Sequence, residues 1–161
     1  MKRTLPIAFL VGIIMFAGFV VAAKPEQKSS NIMETLDTNA PGLFDLMSAA
    51  IDRAGLESEL RDGGAYTVLA PIDSAFMELF ETTDEATALG MIADYEVVEL
   101  SALVNNHIIK GNRSLNSLMN AQQYTTLNGT KLTKDELLAA GVAAKDWGAS
   151  NGVVHVIDNI I

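Results

Sequence analysis

Apolar positions Leu43, Leu46, Met47, Ala50, Ile51 and Ala54 recur at helical spacing and predict an amphipathic helix, with Pro41 in its first turn and Gly55 at its exit. Upstream, Asn31 followed by Glu34 forms a capping arrangement that opens another helix. Gly63-Gly64 then breaks the chain, and the β-rich run Tyr66 to Ala70 reads as a strand. Asp73 is placed to cap a short helix that carries Phe76, Leu79 and Phe80 inward. A long helical stretch follows over residues 84–105, and Thr133-Lys134-Asp135-Glu136 is a capping box before Leu137 and Leu138. Two Asn-Gly pairs, Asn128-Gly129 and Asn151-Gly152, each sit between short β-rich runs and favour the left-handed backbone of tight hairpins. Helices fill the first two thirds and hairpins the last third, a segregated α+β pattern without βαβ alternation.

The first 23 residues change the picture of where this domain works. Lys2 and Arg3 precede an apolar run from Leu5 to Ala23 that ends in the small residues Val21-Ala22-Ala23, the form of a cleavable export signal. The run is also about long enough to span a bilayer, so an uncleaved anchor stays open as the alternative. Residues 24–30, rich in Lys, Gln and Ser, read as a linker, and residues 31–161 form one domain, long enough to bury a core. There is no Cys, which excludes disulfide stapling and lipid attachment through a cysteine. The chain has 11 Lys+Arg against 20 Asp+Glu; losing Lys2 and Arg3 with the signal leaves 9 against 20, a net charge of −11. Such a surface repels nucleic acid and anionic lipid.

Candidate chemistry is sparse. Gly148-Ala149-Ser150-Asn151-Gly152 matches G-x-S-x-G, but a β run follows the serine where an elbow needs a helix, and no His follows Asp158 to complete the order Ser, Asp, His. The two histidines, His107 and His155, have no metal-ligand spacing and read as hydrogen-bonded members of the core. Acidic pairs such as Glu57/Glu59 and Glu96/Glu99 lack the register of a calcium loop. No catalytic, cofactor or metal site is expected. Asn112-Arg113-Ser114 and Asn128-Gly129-Thr130 are glycosylation acceptors if the source is eukaryotic. The sole Trp, Trp147, is either a buried anchor or an exposed contact residue.

Thr67-Val68-Leu69-Ala70-Pro71-Ile72-Asp73-Ser74-Ala75-Phe76 and Asn151-Gly152-Val153-Val154-His155-Val156-Ile157-Asp158, with Leu103 to Ile109 between them, resemble the signature segments of the fasciclin domain family. The likeness runs from Asn31 to Ile161 and is to the single-domain, secreted, prokaryotic type. It implies a fasciclin-like wedge, a compact β-sandwich-like core of hairpins flanked by several helices, in which Thr67, Asp73, Phe76, Asn151, Gly152, His155 and Asp158 are structural. The chain departs from the family pattern at Ile72, where Thr is usual, at Asn106, where Tyr usually precedes the central His, at Lys110, where Pro is usual, and at Trp147 of Asp146-Trp147, where animal members often carry Asp-Ile. The places tied to integrin binding in animal relatives are thus half matched, at His107 and Asp146, and integrin binding is not implied.

The resemblance implies a non-enzymatic adhesion or matrix-interaction module, secreted, periplasmic or on the cell surface. Its partner is expected to be a cell-surface or matrix protein or a polysaccharide, met around Asn106, His107, Asp146 and Trp147. The alternative is a carrier holding a small apolar ligand or pigment in a groove of the same fold. Nucleic acid is not expected as a partner, and a membrane only through the N-terminal segment.

Overall fold

The computed structural model describes residues 30–161; residues 1–23, expected to direct export, and nearly all of the expected linker lie outside the described residues. Helix α1 (Ile32–Asn39) opens on a complete capping box, in which the Asn31 side chain accepts from the Glu34 N–H and the Glu34 carboxylate accepts from the Asn31 N–H. Helices α2 (Asp45–Arg53) and α3 (Glu57–Asp62) lead into strand β1 (Tyr66–Pro71), then α4 (Asp73–Leu79), α5 (Glu85–Asp94) and α6 (Val97–Asn106). The remainder is β2 (Ile108–Lys110), α7 (Leu115–Asn120), β3 (Gln123–Thr125), β4 (Lys131–Thr133), α8 (Lys134–Ala139), β5 (Val142–Ala149) and β6 (Gly152–Ile157). Among the described residues no helix is long and apolar enough to cross a membrane.

The main sheet has the order β2-β1-β6-β5, and β3 and β4 form a separate ribbon. Its centre is the parallel pair β1 and β6, running in register from Tyr66 opposite Gly152 to Pro71 opposite Ile157. Both strands are buried along their whole length, which explains why they read as continuous apolar runs and not as alternation. Ile32, Leu36, Leu46, Met47, Ile51, Val68, Phe76, Ile92, Leu100 and Val154 make the principal core between the sheet and the helices. A smaller cluster, with Leu69, Ile109, Leu118, Leu132, Leu137 and Ile157, lies under α7, α8 and the ribbon.

Four local expectations are corrected. Leu43 precedes α2 and is 37% exposed, and Pro41 lies in a turn ahead of the helix; the inward stripe is Leu46, Met47, Ala50 and Ile51. The long helical stretch is two helices, broken where Tyr95 and Glu96 are both extended, so that each half packs separately on α2. Leu79 points outward, at 44% exposure.

Asp73 does not cap its own helix, whose N-cap is Ile72 with no side-chain bond. Its carboxylate instead accepts from the N–H of Leu46 at 2.9 Å and of Asp45 at 3.3 Å, supplying from a distance the cap that Phe44 cannot give α2. Burial raises the Asp73 pKa, and the two backbone bonds oppose that shift. Asp73→Ala leaves the buried Leu46 donor and the part-buried Asp45 donor unpaired and is expected to destabilise the domain by about 2 kcal/mol. Urea melts measure the loss, and amide exchange locates it: protection should fall first at Asp45 and Leu46, whereas a loss confined to α4 would refute the remote cap.

Candidate interaction site

Three side chains fasten the crossover between β2 and α7. Thr67 on β1, fully buried, donates its hydroxyl proton to the Gly111 carbonyl at 2.6 Å and accepts from the Arg113 N–H at 2.8 Å. His155 on β6 donates from Nε2 to the Arg113 carbonyl at 2.8 Å, and its Nδ1 accepts from the Asp146 N–H at 3.1 Å. Asp146 closes the circuit, its Oδ1 accepting from the Leu115 N–H at 3.0 Å. Both His155 nitrogens are therefore spent on backbone groups, with one tautomer fixed by its neighbours.

Asp146 has a left-handed backbone, φ 56°, inside an edge strand. The register of β5 against β6 shifts between Ala144 and Trp147, so Lys145 and Asp146 form a bulge that re-aims the end of the strand. Trp147 then lies half-buried with its ring edge-on to Phe44, centroids 6.1 Å apart. Asp146 and Lys145 stay exposed beside it.

His107 ends α6 and is fully buried. Its Nδ1 donates to the Leu103 carbonyl at 2.8 Å and its Nε2 accepts from the Ile161 N–H at 3.0 Å. Burial pushes its pKa down to about 4, against a smaller upward pull from the Leu103 carbonyl. A side chain with no exposed surface cannot touch a partner, so His107 is a structural residue and leaves the contact set. Asn106, half-buried, accepts from the Asn128 side chain at 3.1 Å.

The four positions do not converge. Asn106 and His107 adjoin β2 at one edge of the sheet, and Asp146 and Trp147 lie on β5 at the other, three strand spacings or about 14 Å away. Of the structural set, Phe76 is fully buried in the principal core. Asp158 donates its N–H to the Ala140 and Gly141 carbonyls, and its carboxylate lies against Gly141, where φ is 69°. Asn151 is a bracket that sequence reasoning missed: its Oδ1 accepts from the Ile32 N–H at 2.9 Å, and its Nδ2 donates to the Leu60 carbonyl at 2.7 Å. The same side chain thus ties α1 and α3 to the β5–β6 turn. An Asn-Gly pair can equally be a local turn, so the signal in the sequence did not distinguish the two roles.

Asp45, Asp73 and Glu85 can each bring a carboxylate oxygen within 4.8 Å of the others. The oxygens of Asp73 are already used by the backbone of α2, which accounts for its position. Ser150 has no base in either histidine, since both rings are buried with both nitrogens engaged.

The fasciclin domain model matches residues 42–161. The chain is 34% identical over 137 residues to transforming growth factor-beta-induced protein ig-h3 of Sus scrofa, covering 81% of this chain and 18% of that protein. It is 30% identical over 148 residues to protein sll1483 of Synechocystis, covering 88% and 78%. It is 31% identical over 136 residues to the cell surface glycolipoprotein MPB83 of Mycobacterium bovis, covering 79% and 58%. The chain thus spans under a fifth of ig-h3 and somewhat over half of MPB83. Among solved structures, a FAS1 domain pair from the insect cell adhesion molecule fasciclin I superposes with a TM-score of 0.60 at 12% identity, covering 82% of this chain and 50% of that one. The α+β architecture, the buried β1–β6 signature pair and the family match agree: the chain belongs to the fasciclin domain family.

Proposed function

We propose that this chain is an exported, non-enzymatic adhesion or matrix-interaction module that works through surface contacts, with a cell-surface or matrix protein or a polysaccharide as partner. Export rests on the Lys2/Arg3 and apolar pattern of residues 1–23. The adhesion reading draws on the relatives, which include a protein named for the cell surface and one named a cell adhesion molecule.

The observation that carries the site is the geometry at Asp146. A non-glycine residue held left-handed on a bulge costs of order 1–3 kcal/mol, and such strain persists where the surroundings over-determine it. Here His155 and Leu115 fix Asp146, holding its exposed carboxylate on the α7 side of the edge strand, while the next residue, Trp147, lies half-buried with its indole on Phe44. A carboxylate held rigidly at an edge and a partly exposed aromatic next to it in the chain suit a contact hot spot. The carrier reading needs a groove that shelters an apolar ligand, and the groove of about 490 Å³ beside Phe80 and Tyr95 is open to solvent and has Asp94 in its lining.

Trp147→Ala is expected to abolish attachment to cells or matrix while costing about 2 kcal/mol of stability, an edge-to-face contact plus the burial of half a side chain packed against the principal core. Attachment assays and thermal melts on the same variant test this. Unchanged attachment, or a loss of about 3 kcal/mol or more, would make Trp147 a core residue and remove the site.

A further inference from the structure

The helical side of the molecule carries a feature that packing does not explain. Gly90 sits inside α5, where glycine is a poor helix former, yet a Cβ built on it meets nothing within 4 Å. Alanine would fit, so the glycine is not there to admit a neighbour. What its missing side chain leaves is the floor of an open groove of about 490 Å³ lined by Phe80, Thr87, Gly90, Met91, Asp94 and Tyr95. Thr87, Gly90, Met91 and Asp94 form one stripe of α5, at i, i+3, i+4 and i+7. The rings of Phe80 and Tyr95 meet edge to face at 5.9 Å, and Met91 is 41% exposed. An aromatic wall and an adaptable thioether are materials of a recognition surface.

Charge selects the occupant. From Glu78 to Glu99 the sequence holds seven carboxylates and no Lys or Arg, and neither occurs anywhere between Arg61 and Lys110. One cation is contributed from elsewhere: Arg53 on α2 donates to the Tyr95 carbonyl at 3.4 Å. Asp94 brings this negative field to the groove itself, beside two aromatic rings whose faces attract cations.

We propose that this groove binds a basic peptide segment, with an apolar side chain over Gly90 against Phe80 and Met91 and a neighbouring Lys or Arg held by Asp94 and the face of Tyr95. This is a second surface, with no residue in common with the Asp146–Trp147 site, and it stands or falls independently of it.

The test is binding of a synthetic peptide of alternating Lys and Leu, followed by fluorescence anisotropy at about 0.15 M salt, where exposed charges beyond about 8 Å are screened. Gly90→Met fills the groove without changing charge and should weaken binding about tenfold or more. Gly90→Ala should raise the melting temperature and still weaken the peptide by a smaller factor, so that loss of binding cannot be loss of fold. Asp94→Asn should weaken it several-fold, while Asp62→Asn, which also removes the last residue's charge from a helix, should not. The Trp147→Ala variant should bind the peptide as before. Equal effects of Asp94→Asn and Asp62→Asn with none from Gly90→Met would reduce the binding to the general acidic field and overturn the groove. Tighter binding of a neutral naphthalene dye than of the peptide, lost in Gly90→Met but kept in Asp94→Asn, would overturn the basic occupant in favour of an apolar one.

Discussion

Acidification from pH 7 to pH 4 is expected to cost the wild-type domain about 3 kcal/mol that a His107→Gln variant does not lose. His107 is buried and neutral, with a carbonyl on one nitrogen and a backbone N–H on the other, so a second ring proton has no place to go. Its folded pKa is pushed down to about 4, from 6.5 in the unfolded chain. Below pH 6.5 the unfolded state therefore binds a proton that the folded state refuses. The stabilisation is complete above pH 6.5 and is lost as the pH falls through about 4. At about 1.4 kcal/mol per unit this gives the stated magnitude.

Other groups act in the same range, and their signs differ. The raised pKa of Asp73 makes the folded state take up its proton earlier, which partly offsets the loss. Protonation of exposed carboxylates also relieves the repulsion within an acidic surface. Both effects are shared by the variant, so the difference between the two urea-midpoint curves isolates His107. The variant should start less stable at pH 7, because a buried hydrogen-bond bridge between Leu103 and Ile161 is weakened, and the two curves should converge on acidification. Parallel curves from pH 7 to pH 4 would mean that the ring titrates normally and is not sealed in the core.

Which features could be read from the chain depended on the range of the interaction. The capping boxes Asn31/Glu34 and Thr133/Glu136 close within three residues, and both are present. The stripe Leu46, Met47, Ala50 and Ile51 is likewise a property of one helix. Asp73 showed the limit: the residue type was right for a cap, but the helix it serves begins 28 residues earlier, and nothing local distinguishes the two. The break at Tyr95 and Glu96 lacks Gly or Pro, and arises because α5 and α6 each pack on α2. Turn signals also located hairpins without revealing that β1 and β6 pair in parallel at the centre of the sheet. The same ignorance of strand order let Asn106, His107, Asp146 and Trp147 look like one face, when β2 and β5 are opposite edges. Gly90 carried no signal at all, since a glycine within a helical pattern acquires meaning only when the space beside it is known to be empty.

Gly152→Ala is expected to destabilise the domain by about 3 kcal/mol, whereas Gly129→Ala should cost about 1 kcal/mol, although both glycines follow asparagine and look alike in the sequence. Gly129 lies in the turn between β3 and β4, exposed, with φ 84° and nothing within 4 Å of a built Cβ. Its substitution meets backbone strain and no collision. Gly152 has no left-handed backbone; it is the first residue of β6, buried opposite Tyr66. A Cβ there would lie 2.3 Å from the Tyr66 carbonyl oxygen and 2.6 Å from Ile32 Cδ1. The carbonyl belongs to the partner strand and cannot swing away, so β6 must move off β1 at the end where Asn151 also holds Ile32 and Leu60. The strain therefore reaches the parallel pair and the docking of α1 together. Urea midpoints of the two variants decide the matter, with amide exchange at Tyr66 and Ile32 as the local readout. A Gly129→Ala loss equal to or larger than that of Gly152→Ala would show that turn conformation, and not close approach of two strands, is what the second Asn-Gly pair provides.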